Sequence, residues 1–325
     1  MSFDDVHDEL RAVARDLLKA PAPDWALLAA AGWTGLEVPE SRGGAGATFA
    51  ETAVIVGEMG RACARSPYLG AVVLGAATLL ELEPGPGRDD LLRRTATGEA
   101  TPVAVLPGSP ASFVPDAAEA THLLLITRDG VVPLPAGATG VRVAPQPVVD
   151  ETRRLATVTV DSSALAGASA WRFAGDHADA VSRLADRAAV AIAGDSLGLM
   201  EAMLDATVAY ARVRHQFGRP IGSFQAVQHA CADMQVQVSV SRELVSAAVT
   251  AVAAGDPGAW VAASMAKSHV TGAAVSVVGK AMQLHGGIGY TWESGIHAYL
   301  KRAALNRSLF GSPAEHRRRL ATRYS

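Results

Sequence analysis

Arg212-Val-Arg-His-Gln-Phe-Gly-Arg-Pro-Ile-Gly-Ser-Phe-Gln225 closes one long helical pattern and opens the next, and the rest of the chain is arranged around it. Residues 176–214 precede it as a helix. Segments 224–254, 258–284 and 292–308 follow as further helices, with a short piece at 313–323. Gly255-Asp256-Pro257-Gly258 ends the second of these, because Pro cannot continue a helix and Gly permits the turn. Long helices joined by brief loops predict an antiparallel four-helix bundle.

Upstream of the bundle the period changes. Thr101-Pro-Val-Ala-Val-Leu106, His122-Leu-Leu-Leu-Ile-Thr127, Val131-Val-Pro-Leu134 and Leu155-Ala-Thr-Val-Thr-Val160 are short β-prone runs separated by Gly and Pro. Before them, residues 4 to 98 read as short helices broken by Gly43-Gly44 and by Glu83-Pro-Gly-Pro-Gly-Arg88. The expected fold is mostly α with a small β-domain. It divides into a helical domain at 1–98, a shortened β-domain at 99–168 and a helical bundle at 169–325.

Composition narrows the function classes. With 19% charged and 49% apolar residues, the chain is globular. A net charge of −3 supplies no field for nucleic acid or an anionic membrane. Cys63 and Cys231 are far apart and lack partners at metal spacing, which argues against a disulfide scaffold or a zinc site and suits a reducing cytoplasm. The acidic N-terminus lacks a signal peptide's basic and apolar regions. The longest apolar stretch, 188–210, is broken by Asp195, Glu201 and Asp205, so a buried helix is expected there and no membrane span.

Three strings carry a resemblance. In the first, Gly35-Leu-Glu-Val-Pro-Glu-Ser-Arg-Gly-Gly-Ala-Gly46 is followed by Glu58-Met-Gly-Arg-Ala62, and Gly43, Gly44 and Gly46 allow positive φ and close backbone approach. The second is the stretch at 212–225. Arg214 offers fixed donors suited to a pyrophosphate, Gln216 and Gln225 offer neutral hydrogen-bonding groups, and Phe217 offers an aromatic face. The third is Gln283-Leu-His-Gly-Gly-Ile-Gly-Tyr290, then Thr-Trp-Glu293, where Gly286 and Gly287 bring the backbone to a ligand without a Cβ in the way. Each string alone also fits a polar loop, a core Phe or an ordinary helix cap. Together they resemble the acyl-CoA dehydrogenase family.

That resemblance implies paired subunits, each lending the second and third strings to the FAD of its neighbour. Arg214, Gln216, Phe217, Gln225, Gln283, Gly286 and Gly287 are the implied cofactor-binding residues. It also exposes what is missing. The family's ring-holding "T-E-P-x-x-G-S-D" loop survives only as Gly108-Ser109, and no strand Trp precedes Trp171. The family's catalytic Glu falls on Phe310, with Gly311-Ser312 keeping the register, and the next Gln falls on Ala314. The alternative Glu position in the bundle's first helix falls on Ala188, and a nearby substrate Arg on Ala189. Asp186 lies two residues from Ala188, about 200° around the helix, and faces elsewhere. An Arg-Asp step reads Lys301-Arg302, reversing one charge.

Abstraction of an α-proton from a thioester needs a carboxylate, and neither Phe310 nor Ala188 provides one. Glu201, Asp205, Asp233 and Glu293 are accounted for by helical or capping roles, and His215, His229 and His285 by packing or surface positions. No catalytic residue is therefore assigned. The implied role is a non-catalytic subunit, paired with a homologous full-length acyl-CoA dehydrogenase that handles an acyl-CoA thioester and passes electrons to an acceptor. The stretches Asp150-Glu-Thr-Arg-Arg-Leu-Ala156 and His297-Ala-Tyr-Leu-Lys-Arg-Ala303 resemble actinobacterial members that act on bulky, steroid-type thioesters. Two other readings stay open: a homomeric flavoenzyme with an unrecognised base, and a flavin-free scaffold for acyl-CoA or a carrier protein.

Overall fold

A computed structural model describes residues 3–20, 22–107 and 112–323. The Gly108-Ser109 remnant lies outside these residues. The chain forms two compact units, one of residues 1–21, 56–64 and 189–325, the other of residues 22–55 and 65–188.

In chain order the helices and strands begin with α1 (Phe3–Leu17), α2 (Trp25–Ala30) and α3 (Phe49–Arg61). A π-helical segment, Leu69–Ala76, runs into α4 (Ala77–Leu80), and α5 (Pro86–Ala96) follows. Next come β1 (Pro102–Val105), β2 (Val114–Pro115), β3 (His122–Thr127), β4 (Gly130–Pro135), β5 (Val141–Gln146), β6 (Leu155–Val160) and the short α6 (Ser162–Leu165). Then α7 (His177–Val213) leads through the strand pair β7 (His215–Gln216) and β8 (Arg219–Pro220) into α8 (Gln225–Ala253). The chain ends with α9 (Ala259–His285), α10 (Ile296–Ser308) and α11 (Pro313–Ala321).

In the unit of residues 22–55 and 65–188, the strands form two small sheets, ordered β1-β3-β4 and β2-β6-β5. β1 and β3 are parallel, with Pro102 opposite His122, while β3–β4 and β5–β6 are antiparallel. Leu124, Ile126 and Val131 pack with Leu79, Leu91 and Leu92 in one core, and Val103, Val114, Leu123 and Val158 in another. β5 was not expected from the sequence. Val141 and Val143 are half-buried against the second core, but Arg142, Ala144 and Pro145 are exposed, and Pro145-Gln146 ends the alternation after two turns of the pleat. Trp171 forms an isolated bridge with Val131, and its ring lies against Gly87.

In the other unit, α8, α10 and α11 pack along α9. The segment 56–61 of α3 crosses α7 at glycines. A Cβ on Gly60 would overlap the Asp195 carbonyl oxygen, and one on Gly198 the Gly57 carbonyl oxygen. That crossing accounts for the glycine of Glu58-Met-Gly60-Arg61. Its charged neighbours form ion pairs, Arg15 to the buried Glu58 at 2.9 Å and Arg61 to Asp205 and Glu201. Glu201 also accepts from Arg242 of α8 at 2.6 Å. The apolar stretch expected at 188–210 is, as read, a largely buried part of α7. Among the described residues a different helix, α8, is long and apolar enough to cross a membrane by length and composition. Its Met234, Val238, Val245 and Ala248 are buried inside the protein.

Candidate functional site

The stretch 212–225 forms a small hairpin at the end of α7. Gln216 pairs with Arg219, and the two residues between them, Phe217 and Gly218, have φ of 53° and 77°. A hairpin of two left-handed residues matches the strand twist but is normally built from Asn-Gly or Gly-Gly. A bulky side chain in this conformation costs roughly 1–2 kcal/mol. The Phe217 ring recovers little of that, since the residue is 91% exposed and meets Phe224 edge-on with ring centroids 6.2 Å apart. Arg219 lies over the other ring, 4.2 Å from the Phe224 centroid.

Arg212, Arg214, His215, Gln216 and Arg219 are all exposed, and no acidic residue occurs between Arg212 and Gln225. The hairpin is nonetheless ordered by hydrogen bonds to its backbone. Ile221 N–H donates to Arg214 O at 2.8 Å, Gln228 Nε2 donates to Gly222 O at 2.9 Å, and Gln225 begins α8 at the surface. The result is a fixed, cationic, aromatic-tipped projection.

The third string lies at the same end of the bundle. His285, at the end of α9, is buried and its ring stacks on Tyr210 of α7 at 4.5 Å. Its Nδ1 meets Ala281 O at 2.8 Å, so this histidine joins the two helix ends as a packing group. Gln283, Gly286 and Gly287 are exposed. The glycines here divide by cause. Gly286 has φ of 63°, which favours glycine, and a Cβ on Gly289 would press on Met282 O. A Cβ on Gly287 would meet open space, so packing within the chain does not require that glycine. The first string differs. A Cβ on Gly44 would overlap Val38 O, and Gly43 and Gly46 have φ of 82° and 62°, so the fold itself requires all three.

The positions expected to have lost an acid are tightly built. Ala188 and Ala189 are fully buried. Beside Ala188, Arg187 makes a bidentate pair with Glu37, donates from Nε to Val73 O at 2.6 Å, and lies 4.3 Å over the Phe49 ring. Glu37 also accepts from Thr52. Asp186 is buried too.

Phe310 occupies a left-handed turn with φ of 56°. Two buried groups hold that turn. Lys267 Nζ donates to Asn306 O at 3.0 Å and Gly311 O at 2.6 Å, and His316 Nε2 meets Phe310 O at 3.0 Å. Burial pushes the Lys267 ammonium down to about 7, opposed weakly by Glu315. Gly311 is obligatory, since a Cβ there would lie 2.8 Å from His316 Nε2. Ser312 and Glu315 form a reciprocal capping box that starts α11. The Arg302 of the reversed charge step is buried. It pairs with Asp195 and donates to Ala64 O at 2.7 Å, while Asn306 Nδ2 donates to Asp195 at 2.6 Å.

Glu37, Arg187, Lys267 and His316 were not singled out from sequence, and Asp195 was read only as a break in an apolar stretch. Most of their partners lie too far along the chain for spacing to reveal them. Of the acids considered as bases, Glu201 and Asp205 form ion pairs to Arg242 and Arg61 on other helices, where the sequence had suggested helical or capping roles.

A helical protein with two small sheets and this bundle defines a class of fold, and comparison with known proteins places the chain within it. Residues 178–325 match the acyl-CoA dehydrogenase C-terminal domain, and residues 4–99 the N-terminal domain. Acyl-CoA dehydrogenase IpdE2 of Mycolicibacterium smegmatis is 35% identical over 297 residues, covering 91% of this chain and 86% of that one. Acyl-CoA dehydrogenase FadE28 of Mycobacterium tuberculosis is 30% identical over 93% of this chain and 92% of its own length. A solved variant of the Tcur3481-Tcur3483 steroid ACAD superposes with a TM-score of 0.87 at 26% identity, covering 99% of this chain and 98% of that one. The chain belongs to the acyl-CoA dehydrogenase family.

Proposed function

We propose that this chain is the non-catalytic subunit of a heteromeric acyl-CoA dehydrogenase and completes the FAD site of a homologous, full-length partner. The observation that carries the reading is the hairpin. An exposed Phe217 in a costly backbone conformation, flanked by three exposed arginines with no acid among them, serves no purpose inside this chain. It suits a ligand with a planar ring and a diphosphate.

The residues fit FAD by their chemistry. Arg214 supplies paired donors for a pyrophosphate, Phe217 a face for the adenine, and Gln216, Gln225 and Gln283 neutral hydrogen bonds. The exposed backbone at Gly286 and Gly287 is open to close approach. When bound, the flavin supplies hydride acceptance from the acyl thioester. The residues of this chain bind and orient it, while the partner supplies the carboxylate that takes the α-proton, because Phe310 and Ala188 cannot. The steroid ACAD whose fold it shares is named as a pair of components, which supports a two-chain assembly and a bulky thioester substrate.

The test is to purify the chain alone and after co-expression with a homologous partner, recording visible flavin absorbance and turnover of an acyl-CoA. Flavin only in the co-expressed complex, at one per pair of chains, is the expected result. A lone chain that holds one flavin per chain and oxidises an acyl-CoA would sink the reading.

A further inference from the structure

Gln283 stands on the last exposed turn of α9, where a glutamine side chain has nothing to fix its rotamer or to choose which end of its amide faces out. One neighbour makes that choice. Lys280 Nζ lies 3.0 Å from Gln283 Oε1, one turn back on the same helix. An ammonium only donates, so the amide oxygen is the bonded atom and the amide nitrogen is not engaged by Lys280. Lys280 is itself exposed, and no acidic residue occurs between Ala259 and Tyr290 to neutralise it.

Resting on the flavin-completing reading above, we infer that Lys280 is a positioning residue: it engages the Gln283 carbonyl so that the amide nitrogen is the end offered to a ligand, matching an acceptor-rich anionic ligand such as the diphosphate and ribose portion of FAD. The physical basis is preorganisation. A free glutamine must lose rotamer freedom on binding and can present its carbonyl to an anion, whereas a glutamine already held by Lys280 avoids both costs. The tie also predicts coupling. Removing Lys280 matters chiefly through Gln283, so the two substitutions are not independent.

The experiment uses the co-expressed complex, stripped of flavin and titrated with FAD by fluorescence. The variants are Lys280→Met, Lys280→Arg, Gln283→Ala, Arg214→Ala and the double variant Lys280→Met/Gln283→Ala, with assembly followed by sedimentation. Lys280→Met should weaken FAD binding about tenfold without changing assembly, and Lys280→Arg should restore most of it. The double variant should bind FAD about as weakly as Gln283→Ala alone. Unchanged affinity in Lys280→Met overturns the proposal. So do fully additive losses in the double variant, which would make Lys280 an independent charge. The broader reading fails differently: Arg214→Ala and Gln283→Ala would then leave FAD binding untouched while the Lys280 variants also do nothing.

Discussion

The hairpin at 214–220 and the turn at 309–312 both contain a phenylalanine in the left-handed region, yet they are supported in opposite ways. Around Phe310, the local contacts are satisfied within the chain: Lys267 takes Asn306 O and Gly311 O, His316 takes Phe310 O, and Ser312 and Glu315 cap α11. Around Phe217, the side chains that give the hairpin its character reach into solvent. Strain repaid from within indicates architecture. Strain left unpaid indicates a surface shaped for something else.

The largest expected effect breaks the buried side of this comparison. Arg302→Ala would leave Asp195 with only Asn306 and its remaining contacts. Urea unfolding should show a loss of about 3–5 kcal/mol. A loss below about 1 kcal/mol would show that the buried Arg302–Asp195–Asn306 network is dispensable.

Next comes the pH dependence of Lys267. Its folded-state value is lowered from 10.5 to about 7, so between these limits the unfolded chain binds more protons. This residue's contribution to stability is therefore complete above about 10.5 and is lost as pH falls through about 7. Denaturation of the wild type should show stability rising across that window relative to Lys267→Met. Parallel profiles would contradict the assignment.

Smaller effects sharpen the exposed side. Phe217→Gly should stabilise the isolated chain by up to about 1 kcal/mol while weakening FAD binding by the complex. If thermal melts show it destabilised, the ring supports the fold after all. Smallest of all, Gly287→Ala should leave isolated-chain stability within about 0.5 kcal/mol, whereas Gly289→Ala should lower it visibly. In the complex the order reverses for flavin affinity if Gly287 is open for a ligand.

The helices were legible because long apolar periodicities with Gly and Pro punctuation leave few alternatives. The segment read as 258–284 is observed as Ala259–His285, and that read as 292–308 begins at Ile296 because Gly295 turns left-handed before it. Strands β2 and β5 were not legible. One is two residues long, and the other offers only Val141 and Val143 to the core before Pro145, so neither carries an apolar run long enough to stand out. The buried ion pairs were illegible for another reason. Glu37 and Arg187 are far apart in sequence, and each alone looks like an ordinary surface charge. The family strings marked out the exposed donor-rich end, but sequence could not show that Gly44 and Gly289 are demanded by packing while Gly287 is not.

The crossing of α3 and α7 has a consequence for how such a chain can change over time. Where Gly57, Gly60 and Gly198 bring two backbones together, no side chain lies between them to be trimmed or enlarged by one methylene. Elsewhere in the bundle, drift can proceed by Val–Ile or Leu–Met exchanges. Here the first step is already a collision with a carbonyl. The joint is therefore a fixed point, about which other surfaces of the chain can diverge while the spacing of these two helices stays as it is.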